Sequence, residues 1–256
     1  MERLDAAQIN EFWSHAYQPG GLVVAAAGDI AHAELVAMVE RAFGAGEARP
    51  PSYSAAPALP AMRLKVEQRE AAQAHVCLGL PALPRDHPDQ WTLEILNTVL
   101  GDGSSSRLFL NVREEAGLAY DVHSFQTDYA DCGSLQVYAG VDPDDVAPAL
   151  RAILVELARL RDERVSADEL ARARAYVSGR LELRLEESRH LAAWLGVQEA
   201  LHERVLTVDE ALERLAAVSA DDIQALAGRL VRDDALCLAL ISPSADGRLD
   251  GALQLP

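Results

Sequence analysis

Scarcity narrows this 256-residue chain before any motif does. Lys65 is its only lysine, no run of Lys or Arg exceeds two, and 40 acidic residues leave a formal net charge of −17. Phosphate backbones and anionic lipid surfaces are recognised by clustered cations, so the sequence predicts no nucleic acid and no membrane among its partners. Cysteine is nearly as scarce. Cys77, Cys132 and Cys237 each sit in an apolar segment and none forms a C-x-x-C pair, which predicts buried free thiols and no disulfide frame. Long apolar runs are missing too, since none approaches the roughly 20 residues of a membrane span. The opening MERLDAAQINEFW has neither the basic start nor the apolar core of a secretory leader. As written the chain reads as soluble and cytoplasmic, and as periplasmic or exported only if a leader ahead of Met1 has been lost.

The machinery of hydrolysis is absent as well. A zinc peptidase helix carries two His on one face with a carboxylate beside them, as H-E-x-x-H or H-x-x-E-H. His202 and Glu203 begin the first pattern, but Leu206 holds the place of the second His; His32 begins the inverse, but Leu35 and Val36 fill its remaining positions. His190 has no His one turn away, and His15, His75, His87 and His123 are isolated and read as surface or hydrogen-bonded side chains. The Gly-Ser loop from Gly101 to Ser106 lacks a following G-K-[ST] and reads as a helix stop and cap, not a phosphate loop. There is no G-x-S-x-G elbow and no Cys with a His partner. No catalytic residue, no metal ligand and no cofactor is predicted for this chain.

What is present can bury a core: half the residues are apolar and one quarter charged, enough for one large domain or one and a fraction. Asp5 with Gln8 reads as a capping box ahead of Ile9, Phe12, Trp13 and Ala16 at helical spacing, followed by a break at Pro19-Gly20-Gly21. LVVAAAG then predicts a buried strand, and a second helix runs roughly Ala31 to Phe43. Residues 46–61, rich in Pro, Ala and Ser, predict a linker. Beyond it, strands are predicted near Arg63–Gln68 and Ala74–Leu80, and a helix near Pro88–Leu100. A short helix over Ser105–Ala116 follows, then a hairpin from Leu118–Gln126 and Ser134–Ala139 around Asp131-Cys132-Gly133. The rest is mostly helical, with capping boxes at Ser166–Glu169 and Thr207–Glu210, a cap at Ser219, and a last strand over Ala235–Ile241. Leu170, Ala173, Val177, Leu181 and Leu185 form a stripe whose default meaning is core packing. The fold class is α/β of the α+β type, an antiparallel sheet with helices packed on it.

A repeat organises these elements. VSADDIQALAGRLVRDDALCLALIS from Val218 aligns without a gap on LDAAQINEFWSHAYQPGGLVVAAAG from Leu4, each a capped helix, a break and an apolar segment. The second copy follows a long body of chain and the first does not. The sequence therefore divides into a remnant of a first domain (1–45), the linker (46–61) and a second domain (62–256).

Chemistry concentrates between Gly101 and Phe125, where Arg113 stands seven residues before Tyr120, one on the short helix and the other on the strand leaving it. A guanidinium fork and a phenol hydroxyl converging on one spot can hold a carbonyl as it gains negative charge, but they supply no nucleophile.

At these residues the chain resembles the pitrilysin/insulinase family of zinc metallopeptidases, in the manner of mitochondrial processing peptidase, and specifically its C-terminal half. LNTVLGDGSSSRLFLNVREEAGLAYDVHSF is similar to the family's L-N-x-[IL]-L-G-G-G-x-S-S-R-L-F followed by R-E-x-x-G-L-A-Y, with Arg113 and Tyr120 on that element's Arg and Tyr. AYQPGGLVVAAAGDI, QAHVCLGLPAL and DHPDQWTLEILN also look like family segments, with Gly20-Gly21 in place of a usual Asn-Met.

The resemblance implies a duplicated α/β domain, peptide substrate held by Arg113 and Tyr120, and a loop near substrate at Gly103, Ser105 and Ser106. It further implies that zinc belongs to an H-x-x-E-H half, which this chain lacks, so zinc is expected only in a complete or partnered enzyme. The expected function is the substrate-binding portion of a zinc-dependent metalloendopeptidase, with a zinc-bearing N-terminal half or partner chain, or a second copy as a homodimer, as its partner. The alternatives are a non-catalytic binding or scaffold subunit of the same family, or a chain whose Met1 is not the native start.

Overall fold

A computed structural model describes residues 4–17, 19–44, 64–243 and 253–256; the expected linker lies outside them, and the first expected strand is described only from Leu64. In chain order the helices are α1 (Ala6–Ala16), α2 (His32–Phe43), α3 (Gln90–Leu100), a short wide helix (Leu108–Glu115), α4 (Val146–Asp162), α5 (Ala167–Leu185), α6 (Ser188–Leu201), α7 (Val208–Ala217) and α8 (Ala220–Leu230). The strands are β1 (Leu64–Gln68), β2 (Ala74–Ala82), β3 (Asp121–Asp128), β4 (Gly133–Val141) and β5 (Cys237–Ser242). Two compact units emerge: the described residues up to 44 group with Leu181–Leu206, and the remaining ones form the larger unit.

In the larger unit the strands lie in the order β1-β5-β2-β4-β3. Every neighbouring pair is antiparallel except β1 and β5, which run parallel at one edge. β5 reaches that position only after the helical stretch from α4 to α8, because parallel neighbours need a crossover and cannot be joined by a hairpin. Side chains alternate faces along each strand. Val76, Leu78, Leu80, Val122, Leu135, Val137, Leu238 and Leu240 are all buried on the face that receives the helices. Into that face pack Ile95 and Leu96 of α3, Leu150, Ile153 and Leu157 of α4, and Ile223 and Leu226 of α8, none more than 2% exposed. The expected stripe on α5 points inward at Ala173 and Val177, both buried.

Capping boxes close at Ser166–Glu169, Thr207–Glu210 and Ser219–Asp222, each satisfying backbone N–H groups that a helix start leaves orphaned. Gly101 ends α3 for a packing reason: an added Cβ would stand 2.5 Å from the Ser124 backbone nitrogen, so no larger residue lets β3 pass so close. Ser124 clasps the same junction, its hydroxyl donating to the Asn97 backbone and side-chain oxygens at 3.1 and 2.7 Å.

Two expectations need correction. The three cysteines are free, but half-buried instead of buried. LVVAAAG is not a buried strand: residues 22–27 pair with no strand among the described residues, and Leu22, Val23 and Val24 are exposed. A β-propensity run becomes a strand only when a neighbour takes its backbone N–H and C=O groups, and none of the described residues does so here.

Candidate functional site

The site is built outward from Ser106. Its buried hydroxyl donates to the Gly103 carbonyl at 2.7 Å and accepts the Phe109 N–H at 3.4 Å, capping the helix that follows. Gly103 turns the chain at φ 117°, a conformation costly for any residue with a Cβ. The helix is wider than the one expected: the Ala116 N–H bonds the Asn111 carbonyl five residues back, and the Leu118 N–H bonds Val112 at 3.0 Å across Gly117 in the left-handed region. Buried Leu108 and Val112 anchor this helix. Asn111 donates to the buried Glu156 carboxylate of α4 at 2.9 Å, and Arg159 neutralises that carboxylate at 3.1 Å.

Arg113 lies on the outer side of this helix with 42% of its side chain exposed. Its guanidinium stacks 4.8 Å from the Phe109 ring centroid and stands 3.7 Å from Glu114. Tyr120 stands immediately before β3; its backbone N–H bonds the Gly140 carbonyl at 2.9 Å, and the residue is 58% exposed. No hydrogen bond joins Arg113 to Tyr120, and the Tyr120 hydroxyl has no partner among the described residues. The Tyr120 hydroxyl is thus a donor that the fold leaves unspent, while the Arg113 guanidinium is engaged by Phe109 and Glu114.

The loop residues have structural duties. Ser106 is consumed by its cap, and Gly103 faces Tyr176 of α5, with an added Cβ 3.5 Å from that ring. Ser105 lines a crevice of about 20 Å³ with Thr98, Arg172 and Tyr176, room for a water molecule and not for a peptide side chain.

Two ion networks hold the surroundings, and sequence reasoning missed both. Arg107, buried, makes a two-pronged contact with Glu169 at 2.9 and 3.2 Å, while its Nη1 has no partner. Burial pushes the Glu169 carboxyl up, but bonds from Arg107 and from the Ser166 backbone and hydroxyl outweigh it and hold it at about 2. Arg180 of α5 bonds Asp102 at 2.6 Å and Glu94 at 2.8 Å. Burial raises the Glu94 carboxyl above its ordinary value, and the Arg180 charge opposes that rise. No local motif announces either network, because the partners lie 62 to 86 residues apart.

On the sheet face away from the helices, two of the isolated histidines meet around one ring. His75 Nδ1 lies 2.8 Å from the Tyr138 hydroxyl, and the His123 ring centroid is 5.2 Å from that of Tyr138. The cross-strand register explains it, since Tyr138 faces both Cys77 and His123. Two imidazoles bridged by a phenol do not make a zinc site, and among the described residues no three His, Cys, Asp or Glu converge to hold a metal. The donor set therefore does not fit zinc.

The larger unit is thus a helix-backed sheet that presents an exposed Arg and Tyr. Residues 3–177 match the family described as the Peptidase M16 inactive domain, and the chain belongs to that family. It is 38% identical to an uncharacterized zinc protease of Streptomyces coelicolor over 96% of this chain and 55% of that protein. Identity to the beta subunit of the mitochondrial-processing peptidase of Bos taurus is 27%, over 95% of this chain and 52% of that one. The chain thus spans about half the length of these relatives. Among solved structures, a protease from Helicobacter pylori superposes with a TM-score of 0.83 at 20% identity, covering 94% of this chain and 60% of that one. No described helix is long and apolar enough to cross a membrane.

Proposed function

We infer that this chain is the substrate-holding portion of a zinc-dependent metalloendopeptidase, acting on peptides when a zinc-bearing half is supplied in the same polypeptide or by a partner. The observation that carries this reading is the exposure of Arg113 and Tyr120, seven residues apart, the first on a helix anchored by buried Leu108 and Val112 and the second at the threshold of β3. A phenol hydroxyl exposed without an internal partner is free to donate to a ligand. A peptide carbonyl fits: Tyr120 Oη donates one bond to an oxygen gaining charge, and Arg113 supplies positive potential beside it. Water activation belongs to the zinc-bearing half, because nothing in this chain's described residues lowers the pKa of water. Relatives named zinc proteases, roughly twice as long as the matched region, support that division.

The test is peptide hydrolysis by the chain together with a zinc-bearing half, comparing the parent with Tyr120→Phe and Arg113→Ala. Removing one oxyanion donor is expected to lower turnover by about 10² to 10³. Equal turnover in all three assemblies refutes the role and leaves the non-catalytic scaffold reading in its place.

A further inference from the structure

The start of α3 and the end of α7 frame a hollow of about 380 Å³ on the larger unit, lined by Pro88, Trp91, Thr92, Arg214, Ala217 and Val218. It is large enough for a small organic molecule, and it lies among donors that nothing described accepts from. Thr92 is only 8% exposed, yet its hydroxyl has no hydrogen-bond partner among the described residues. Buried polar groups in folded proteins are almost always paired, so a hydroxyl in this position is completed by what the hollow holds. Backbone donors are open beside it. The Gln90 N–H bonds the His87 carbonyl at 3.0 Å and the Leu93 N–H bonds the Asp89 carbonyl at 2.9 Å, but the N–H groups of Trp91 and Thr92 between them meet no described acceptor. Asp89 occupies the cap position without capping; its carboxylate bonds Arg229 of α8 at 2.8 Å instead. Arg214 completes the set. Acidic side chains outnumber Lys and Arg by 40 to 23 in this chain, yet no described one meets the exposed Arg214 guanidinium.

Charge decides which ligand fits. Asp89 and Asp222 also line the hollow, but both are engaged, Asp89 by Arg229 and Asp222 by the Ser219 N–H and hydroxyl at 2.8 and 2.6 Å. A cation therefore finds no waiting carboxylate, whereas an anion finds a guanidinium, a hydroxyl and two N–H groups at the positive end of a helix. Pro88, Ala217, Val218 and the Trp91 ring leave the rest of the wall apolar. We propose that this hollow binds a small carboxylate with a short apolar body, the carboxylate between Arg214 and the start of α3 and the body over Trp91 and Val218. A planar carboxylate matches the guanidinium fork, which a spherical ion does not. The site is independent of Arg113 and Tyr120 and of whether this chain serves a peptidase. Free acids and the last residue of a peptide both carry this chemistry.

The experiment titrates the 256-residue chain with N-acetylleucine and with N-acetylleucine amide, following the indole N–H signals by NMR. Trp13, Trp91 and Trp194 give three signals, and Trp91→Phe identifies the relevant one. The expected result is saturable movement of the Trp91 signal by the acid, with the other two unmoved and the amide at least about tenfold weaker. Arg214→Gln, at an exposed position, is expected to weaken the acid about tenfold, and Thr92→Val, which keeps the side-chain volume, about fivefold. A pentapeptide ending in leucine separates the sources: equal affinity supports a peptide terminus, and clearly weaker binding supports a free acid. The amide binding as tightly as the acid, or parent-like binding by Arg214→Gln, overturns the proposal. So does a Trp91 signal unmoved at about 10 mM acid, since a ligand of about a dozen heavy atoms reaches a dissociation constant of roughly a few millimolar at ordinary efficiency.

Discussion

Replacing Glu169 by Gln tests the energetic centre of the larger unit. Arg107 is 9% exposed at its side chain, and its only described counter-charge is Glu169, which remains 25% exposed. A carboxyl held at about 2 against an ordinary 4.5 corresponds to about 3 kcal/mol favouring the ionised form in the folded chain. Solvent reaching the exposed quarter screens that figure to about 1–2 kcal/mol. Glutamine removes this and also strands the buried guanidinium, so the full cost is expected to be about 3 kcal/mol, within the range for breaking one side of a buried pair. The assay is urea unfolding at pH 7, followed by exchange of the β2 and β4 amides so that only the larger unit reports. The pH dependence has a definite sign. Because the folded carboxyl titrates below the unfolded one, its stabilisation is whole above about pH 4.5 and is lost as pH falls toward about 2. Parent and Glu169→Gln should therefore converge over that interval. A double replacement, Arg107→Met with Glu169→Gln, is expected to recover most of the loss, because it removes both charges from the interior and keeps an acceptor for the Ser166 N–H. A loss below about 0.5 kcal/mol for Glu169→Gln, a range typical of inert surface changes, or parallel pH curves for parent and variant, would refute this reasoning.

Three further outcomes are expected. Tyr120→Phe should leave stability within about 0.5 kcal/mol of the parent, as expected for an exposed hydroxyl without a partner; a larger loss in urea unfolding would show that the phenol serves the fold. Gly101→Ala should cost at least about 1–3 kcal/mol, since its Cβ would collide with backbone at Ser124, and unfolding with parent-like stability contradicts the close approach of α3 to β3. Arg180→Met should move the Glu94 carboxyl still higher, because it removes the guanidinium that opposes burial; carboxyl titration by NMR showing a downward move would reverse the assigned causes.

Local chemistry made much of this molecule readable along the chain. Capping boxes at Asp5, Ser166, Thr207 and Ser219 are short-range patterns, and the helices begin where those patterns put them, while the α5 stripe is buried at Ala173 and Val177. A helix, a glycine stop and a strand in succession set the stretch that carries Arg113 and Tyr120, although Tyr120 falls just before β3. The wide winding of their helix was not, since it depends on how buried Val112 and the Asn111–Glu156 bond hold it to α4. Arg107 with Glu169, and His75 with Tyr138 and His123, were invisible for the same reason: sheet register and helix packing bring together residues that no local spacing relates. LVVAAAG is the sharpest case. Its composition determined that the segment is able to be a strand, and its likeness to β5 determined which kind. Whether it becomes one was decided only in three dimensions, because backbone hydrogen bonds are completed by a neighbour and not by the segment itself.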